Sequence, residues 1–292
     1  MKIAVLTDIH SNCHSLEAVL NDITTEHPDV VVGAGDMVGC SAYPGTAKVW
    51  NLLHGQNIPF VLGNEEDRIL RWYAPGVDSY LKNSVQYLPL RFRAAQFSVN
   101  DIEVMKTLPV NIVLDGPHGQ DVLVCHASPG NLHRSPMHGI DADMEQDLDA
   151  VHAQVIVVGH LHTVWHHYWR GKLLVMAGSG GLPLRGKVNE VDYVVLTYHK
   201  QAWRFTYKTV YYDSLATIKE AAESGFLEQA GPIGWLMFDE ILTQEDRVTS
   251  FLETYCPKDV PDDIEHWKRL VLGYLEHIGR WDAVKPYVQH VL

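Results

Sequence analysis

The chain is short of cysteine and of positive charge, and each shortage removes a class of protein. Its four cysteines, Cys13, Cys40, Cys125 and Cys256, lie far apart and form no CxxC pair. A chain of 292 residues can bury a full core without covalent staples. The cysteines are therefore expected to be free thiols of a reducing compartment rather than a disulfide framework or a thiolate metal site. Twenty-three basic residues face 36 acidic ones, a net charge of −13. That balance opposes attachment to duplex DNA or to an anionic membrane face, and leaves small phosphorylated molecules open as partners. No stretch approaches the ~18 uninterrupted apolar residues of a spanning helix, and no basic segment precedes the first apolar run. The expectation is a cytoplasmic protein without a membrane partner, for which nucleic acid polymers are disfavoured. Repeats and low-complexity tracts are missing too, and 46% hydrophobic with 20% charged residues is the composition of a folded globular chain.

What is present is a series of short apolar runs bounded by Gly, Asp or Pro, at 3–7, 30–33, 60–62, 122–125, 155–158 and 173–176. Their length and flanks predict buried strands. Between the first two, Leu16, Val19, Leu20 and Ile23 recur at helical spacing, which gives a β-α-β start and a mostly parallel, helix-covered sheet. Alternation at 193–196 and 203–207 predicts late antiparallel strands. Beyond about residue 213 the pattern turns to long helices, over 236–255 and 264–278, with Pro232 and Pro261 marking their starts. The division expected is a first domain over 1–212 and a helical C-terminal extension over 213–292. The extension holds 15 acidic and 7 basic residues, so it carries most of the net negative charge.

Five of the strand ends carry residue types that ligate metals: Asp8-Ile9-His10, Gly35-Asp36, Gly63-Asn64-Glu65-Glu66, His126 within Val-Cys-His-Ala-Ser, and Gly159-His160-Leu161-His162. Loops leaving the carboxyl ends of parallel strands converge on one edge of a sheet, so residues distant in sequence can share a site. Any one element alone reads more readily as a turn aspartate or a helix cap. Five in order, each directly after an apolar run, point to one metal site. Mixed carboxylate, imidazole and amide ligands suit Mn²⁺, Fe or Zn²⁺.

The order and the residues resemble the calcineurin-like metallophosphoesterase superfamily, with its DxH, GD, GNH[D/E], lone His and GHxH pattern, over roughly residues 1–210. Asp-Ile-His-Ser-Asn, Gly-Asp-Met-Val-Gly and His-Ala-Ser-Pro look most like its small stand-alone bacterial and archaeal branch. The resemblance implies an α/β (α+β) fold, a four-layer αββα sandwich followed here by the C-terminal helical extension, and a site for two divalent metal ions. One ion is implied on Asp8, His10, Asp36 and His162, the other on Asp36, Asn64, His126 and His160, with Asp36 bridging. The implied activity is hydrolysis, by attack of metal-bound hydroxide, of a phosphodiester or phosphoanhydride in a small nucleotide-like substrate, with His126 and Asn64 holding nonbridging oxygens. Phosphomonoester or phosphoprotein hydrolysis and a non-catalytic protein-binding scaffold are the alternatives.

Several residues near the motifs stay open. Asn12 and Glu66 could support ligands or serve as turn and capping groups. The Met176–Arg185 stretch resembles the family's Asn-Pro-Gly-Ser-Val-Gly-x-Pro-Arg segment, and Arg185 is either a ligand of a substrate phosphate or a surface arginine on a turn. Glu65 stands where many relatives have the histidine thought to protonate the leaving group, which puts the general acid in doubt. His14, His166 and His167 are expected to be ordinary histidines, and strand alternation turns Cys125 away from the site into the core. The apolar faces of the extension, with Leu236, Ile241 and Leu242 or Trp267, Val271 and Leu275, need a partner surface. They pack either beside the mouth of the site or as a plain stabilising layer.

Overall fold

The structure, a computed structural model, describes residues 1–39 and 41–291; Cys40, read above as a free thiol, lies outside them. Among the described residues nine strands form two sheets: β1 (Lys2–Leu6), β2 (Val30–Gly33), β3 (Asn111–Leu114), β4 (Val122–Cys125), β5 (Val155–Val158), β6 (Val164–Trp169), β7 (Lys172–Ala177), β8 (Glu190–His199) and β9 (Ala202–Tyr211). One sheet runs β2-β1-β8-β9 and the other β3-β4-β5-β7-β6. Pairing is parallel for β1 with β2, β4 with β5 and β5 with β7, and antiparallel elsewhere. Both sheets are therefore mixed. The parallel start is where the sequence placed it, with α1 (Cys13–Glu26) as the crossover.

The period-2 geometry of the strands explains how the layers stack. On β1, Ile3 and Val5 face the second sheet, where they meet Val124 of β4, Val157 of β5 and Val175 of β7 in one core. The alternate residues Ala4 and Leu6 face outward, under the Leu16–Val19–Ile23 side of α1 and under α2 (Thr46–Gly55). On the far side Leu123, Ile156 and Leu174 pack against Met144 and Leu148 of a helix over Ala142–Ala150. The result is helix, sheet, sheet, helix. Cys125 belongs to this outer core, away from the site. Truncating a buried valine or leucine in the central layer would cost about 2–5 kcal/mol, because both sheets lose a partner there.

Three expectations need correction. The run at 60–62 is no strand: Phe60 makes a single bridge to Gly33, and the N–H of Leu62 turns away to Pro109 O before the chain enters the helix Asn64–Tyr73. β3 and the edge strand β6 were not foreseen, since Val-Trp-His-His-Tyr-Trp shows no alternation of polar and apolar residues. The helix expected over 236–255 is broken into Gly231–Thr243 and Val248–Thr254. Gln244 takes a left-handed φ of 54° at the break. Glu240 Oε1 then accepts from the N–H groups of Arg247 and Val248, which caps the second segment, while Arg247 pairs with the buried Asp239.

The C-terminal helices build a core of their own around Phe238, Ile241, Phe251, Trp267 and Leu275, and this core includes Tyr43, Leu182 and Val85 from the preceding part of the chain. Polar ties reinforce the contact. Gln244 Nε2 donates to Tyr43 Oη at 3.0 Å, and the N–H of Gly186 donates to Gln244 O at 2.5 Å. No helix among the described residues is long and apolar enough to cross a membrane.

Candidate metal centre

The strands deliver the motif residues to one edge. Asp8 and His10 follow β1, Asp36 follows β2, His126 follows β4, and His160 and His162 follow β5, while Asn64 opens the helix Asn64–Tyr73. Backbone bonds stitch these loops together: Asp8 N to Gly35 O and His10 N to Asp36 O at 3.1 Å each, and Gly159 N to His126 O at 2.8 Å. Asp8, His10, Asp36, His160 and His162 all have left-handed φ, between 48° and 77°. For residues with a side chain this is costly, and it persists only where the surroundings impose it. Glycines let the loops come this close. A Cβ on Gly63 would lie 2.1 Å from Asp36 Oδ1, and one on Gly181 would lie 1.9 Å from Ile9 O.

All seven candidate ligands meet. His10 Nε2 and His162 Nε2 are 2.9 Å apart, and Asp8 Oδ1 is 3.7 Å and 3.4 Å from them. Beside this group, Asn64 Oδ1 lies 2.9 Å from both His126 Nε2 and His160 Nδ1. Asp36 Oδ2 stands between the two groups, 3.8 Å from His10 Nε2 and 3.4 Å from His126 Nε2. By ligand-atom spacing, Asp8, His10 and His162 form one potential cation site, and Asp8, Asp36 and His126 another.

The histidines are oriented for a cation. His126 Nδ1 faces Ala34 O at 2.9 Å, His162 Nδ1 faces Leu182 O at 2.5 Å, and His160 Nε2 faces His133 O at 3.1 Å. Donation to these carbonyls turns the other ring nitrogen inward, His126 Nε2 toward Asp36 and Asn64, His162 Nε2 toward Asp8 and His160 Nδ1 toward Asn64 Oδ1, the orientation a metal-binding histidine requires. His10 differs: its Nδ1 is buried without a partner among the described residues, and its ring packs on His162 with centroids 4.6 Å apart. The donor set thus fits divalent cations.

The charges respond to one another. Burial works against Asp36 ionising, but His126 and His10 outweigh it and hold its carboxyl well below the usual range. Burial likewise works against a charged His126, yet Asp36 and Asp8 lift it to about 10. Burial pulls His162 down to about 4. The site draws positive charge toward its carboxylates.

Supporting residues differ in kind. Glu66, fully buried, accepts from the N–H groups of Asp36, Gly63 and Val38 at 2.9–3.1 Å, and so holds two motif loops in register. Burial, with the charge of Asp36, pushes it up to about 7. Asn12 caps α1 through Ser15 N and donates to Gly181 O. Ser179 of the glycine-rich stretch donates to Asp8 O at 2.7 Å. Arg185 stands apart from the cluster, with its guanidinium on Asp192 and Glu190. His14 pairs with Glu220, and His166 and His167 lie on the edge strand β6.

Sequence reasoning missed Arg68. Glu65, 3% exposed, is engaged at Oε1 by Arg68 Nη1 at 2.7 Å and by Asn64 Nδ2 at 3.0 Å. The i,i+3 spacing on one helix was the available signal for Arg68. The metal-ligand cluster forms the floor of a cavity of about 310 Å³, and Glu240, Val248 and Thr249 of the C-terminal helices, with Asp246 of the break between them, form a wall of it. The extension therefore reaches the mouth of the site, one of the two placements weighed for it.

Residues 1–201 match the calcineurin-like phosphoesterase superfamily domain, and the chain belongs to that superfamily. Membership implies a phosphoric ester hydrolase dependent on divalent metal. An uncharacterised protein of Methanocaldococcus jannaschii is 28% identical over 177 residues, 61% of this chain and 69% of that protein. In fold, the chain resembles a metallophosphoesterase from Sphaerobacter thermophilus, with a TM-score of 0.63, 21% identity and coverage of 84% of this chain and 99% of the other. It also resembles a hypothetical protein of Pyrococcus horikoshii, with a TM-score of 0.60, 17% identity and coverage of 78% and 95%.

Proposed function

We infer that the protein hydrolyses a phosphodiester or phosphoanhydride of a small nucleotide-like substrate at a pair of divalent metal ions. Asp8, His10, Asp36 and His162 would hold one ion, and Asp36, Asn64, His126 and His160 the other. When bound, such a pair acidifies water and neutralises phosphoryl oxygens during in-line displacement. The observation that carries the reading is the orientation by backbone carbonyls of His126 toward Asp36, of His162 toward Asp8 and of His160 toward Asn64 Oδ1.

The chain's own residues supply the rest. Asp36 sits between the two histidine groups and serves both. Asn64 and His126, in contact with each other, orient nonbridging oxygens of the substrate. Glu65, engaged by Arg68 and Asn64, acts as an orienting group rather than a proton donor, so departure depends on the leaving group's own acidity. The wall from the C-terminal helices restricts the cavity to small substrates.

Metal analysis of the purified protein combined with an assay on a bis-aryl phosphate ester in Mn²⁺ tests this. Stoichiometric metal with metal-dependent turnover is the expected result. Less than about one ion per chain and no turnover would overturn the reading.

A further inference from the structure

The cavity over the metal cluster opens beside a second chamber of about 320 Å³, and Glu65, Val248 and Thr249 line both. The two differ in charge. Asp36, Glu65, Glu240 and Asp246 line the first, which has no lysine or arginine among its described lining residues. The second is lined by Arg68 and Arg93, with Gln86 and Tyr87 beside them and Ile233 and Met237 of the C-terminal helices forming apolar wall.

We propose that the second chamber is a subsite for a further anionic group of the substrate, on the leaving-group side of the reacting phosphorus, and that Arg68 is the residue that receives it. This rests on the phosphoesterase reading above. In the first cavity an anionic group that is not held at the metals would face the carboxylates of Glu65 and Asp246 at close range in a site partly shielded from water. The second chamber offers the opposite sign next door. Arg68 stands at the boundary, on Glu65 Oε1, and a guanidinium with five N–H donors in a planar fork can serve a carboxylate and a phosphoryl group together. Arg93, almost fully buried and donating Nη1 to Ser41 O at 3.2 Å, adds positive potential from the chamber's base. The class of substrate selected is a phosphoanhydride or bisphosphate of a small molecule, in preference to a diester whose leaving group carries no charge.

Calorimetric titration of the full-length protein in excess Mn²⁺, with methylphosphonate and with alkylene bisphosphonates of increasing spacer length, tests the subsite. At the best spacer, the bisphosphonate should bind wild type about tenfold or more tighter than methylphosphonate, as a charge-assisted contact would give. Arg68→Ala should reduce that ratio to less than about twofold. Gln86→Trp, which obstructs the chamber without altering Glu65 or its partner, should do the same. The proposal fails if no spacer gains over methylphosphonate, or if the gain survives both variants. A wild-type protein that binds neither Mn²⁺ nor methylphosphonate would overturn the phosphoesterase reading, and this proposal with it.

Discussion

Glu66 Oε2 accepts from the backbone N–H of Asp36 at 3.0 Å, so the residue between the two histidine groups is held in its left-handed conformation by a buried carboxylate from the first turn of the helix Asn64–Tyr73. The same oxygen accepts from Gly63 N. Glu66→Gln presents an amide NH₂ or a less basic oxygen to these donors, and the loops should separate slightly. Metal affinity is expected to fall about 10–100-fold with the far-ultraviolet circular dichroism unchanged. Metal titration that matches wild type would show that Glu66 supports the fold alone.

Asp36 should matter to both ions at once. Asp36→Asn keeps the shape and removes the charge between His10 and His126, so metal content and turnover should fall together. Elemental analysis alongside the bis-aryl assay reads both, and a variant that keeps two ions and near-normal rate would refute the bridging role.

For Glu65, the informative change is Glu65→His. If the wild-type carboxylate only orients the site, a histidine able to donate near neutrality should rescue substrates with poor leaving groups, within the 10²–10⁴-fold range typical of general acid catalysis. Rates on esters of graded leaving-group pKa should show a shallower slope in the variant. Parallel lines for the two proteins would eliminate the account.

Stability should respond to pH through Glu240. Burial, with a contribution from Asp246, lifts this carboxyl from 4.5 to about 8, although the N–H groups of Val248 and Arg247 and the neighbouring His10 act the other way. The folded state then holds the proton more tightly than the unfolded chain. Its contribution is complete below about pH 4.5 and is lost as pH rises through about 8. Glu240→Gln cannot ionise, so in metal-free protein its melting temperature relative to wild type should climb between about pH 4.5 and pH 8 and level off above that. At about 1.4 kcal/mol per pKa unit the ceiling is a few kcal/mol, which is several degrees for a chain of this size. A flat difference across that range would show that Glu240 ionises as it does in solvent.

The sequence showed the ligands better than the frame that carries them. Asp8, Asp36, His126 and His160 each follow an apolar strand directly, a local relationship that a linear pattern preserves. The stacking of two sheets is not local: Val5 and Val124 read alike as buried strand residues, and nothing in either run says that they face each other. Only the family resemblance supplied that layer. The break at Gln244 was hidden because the apolar spacing continues through it, and the ion pair of Asp239 with Arg247 that sets it has no periodic signature. Arg185 was hard to place for a similar reason, since its partners Asp192 and Glu190 become neighbours only once β8 has formed.

A ribosome releases the parts of this site in a fixed order. Every candidate ligand lies at or before His162, whereas the wall that narrows the cavity begins at Glu240. N-terminal segments generally fold first during synthesis. A nascent chain can therefore assemble its ligand cluster while that side of the pocket is still open to solvent, and selectivity among phosphate esters is acquired last, when the final helices dock.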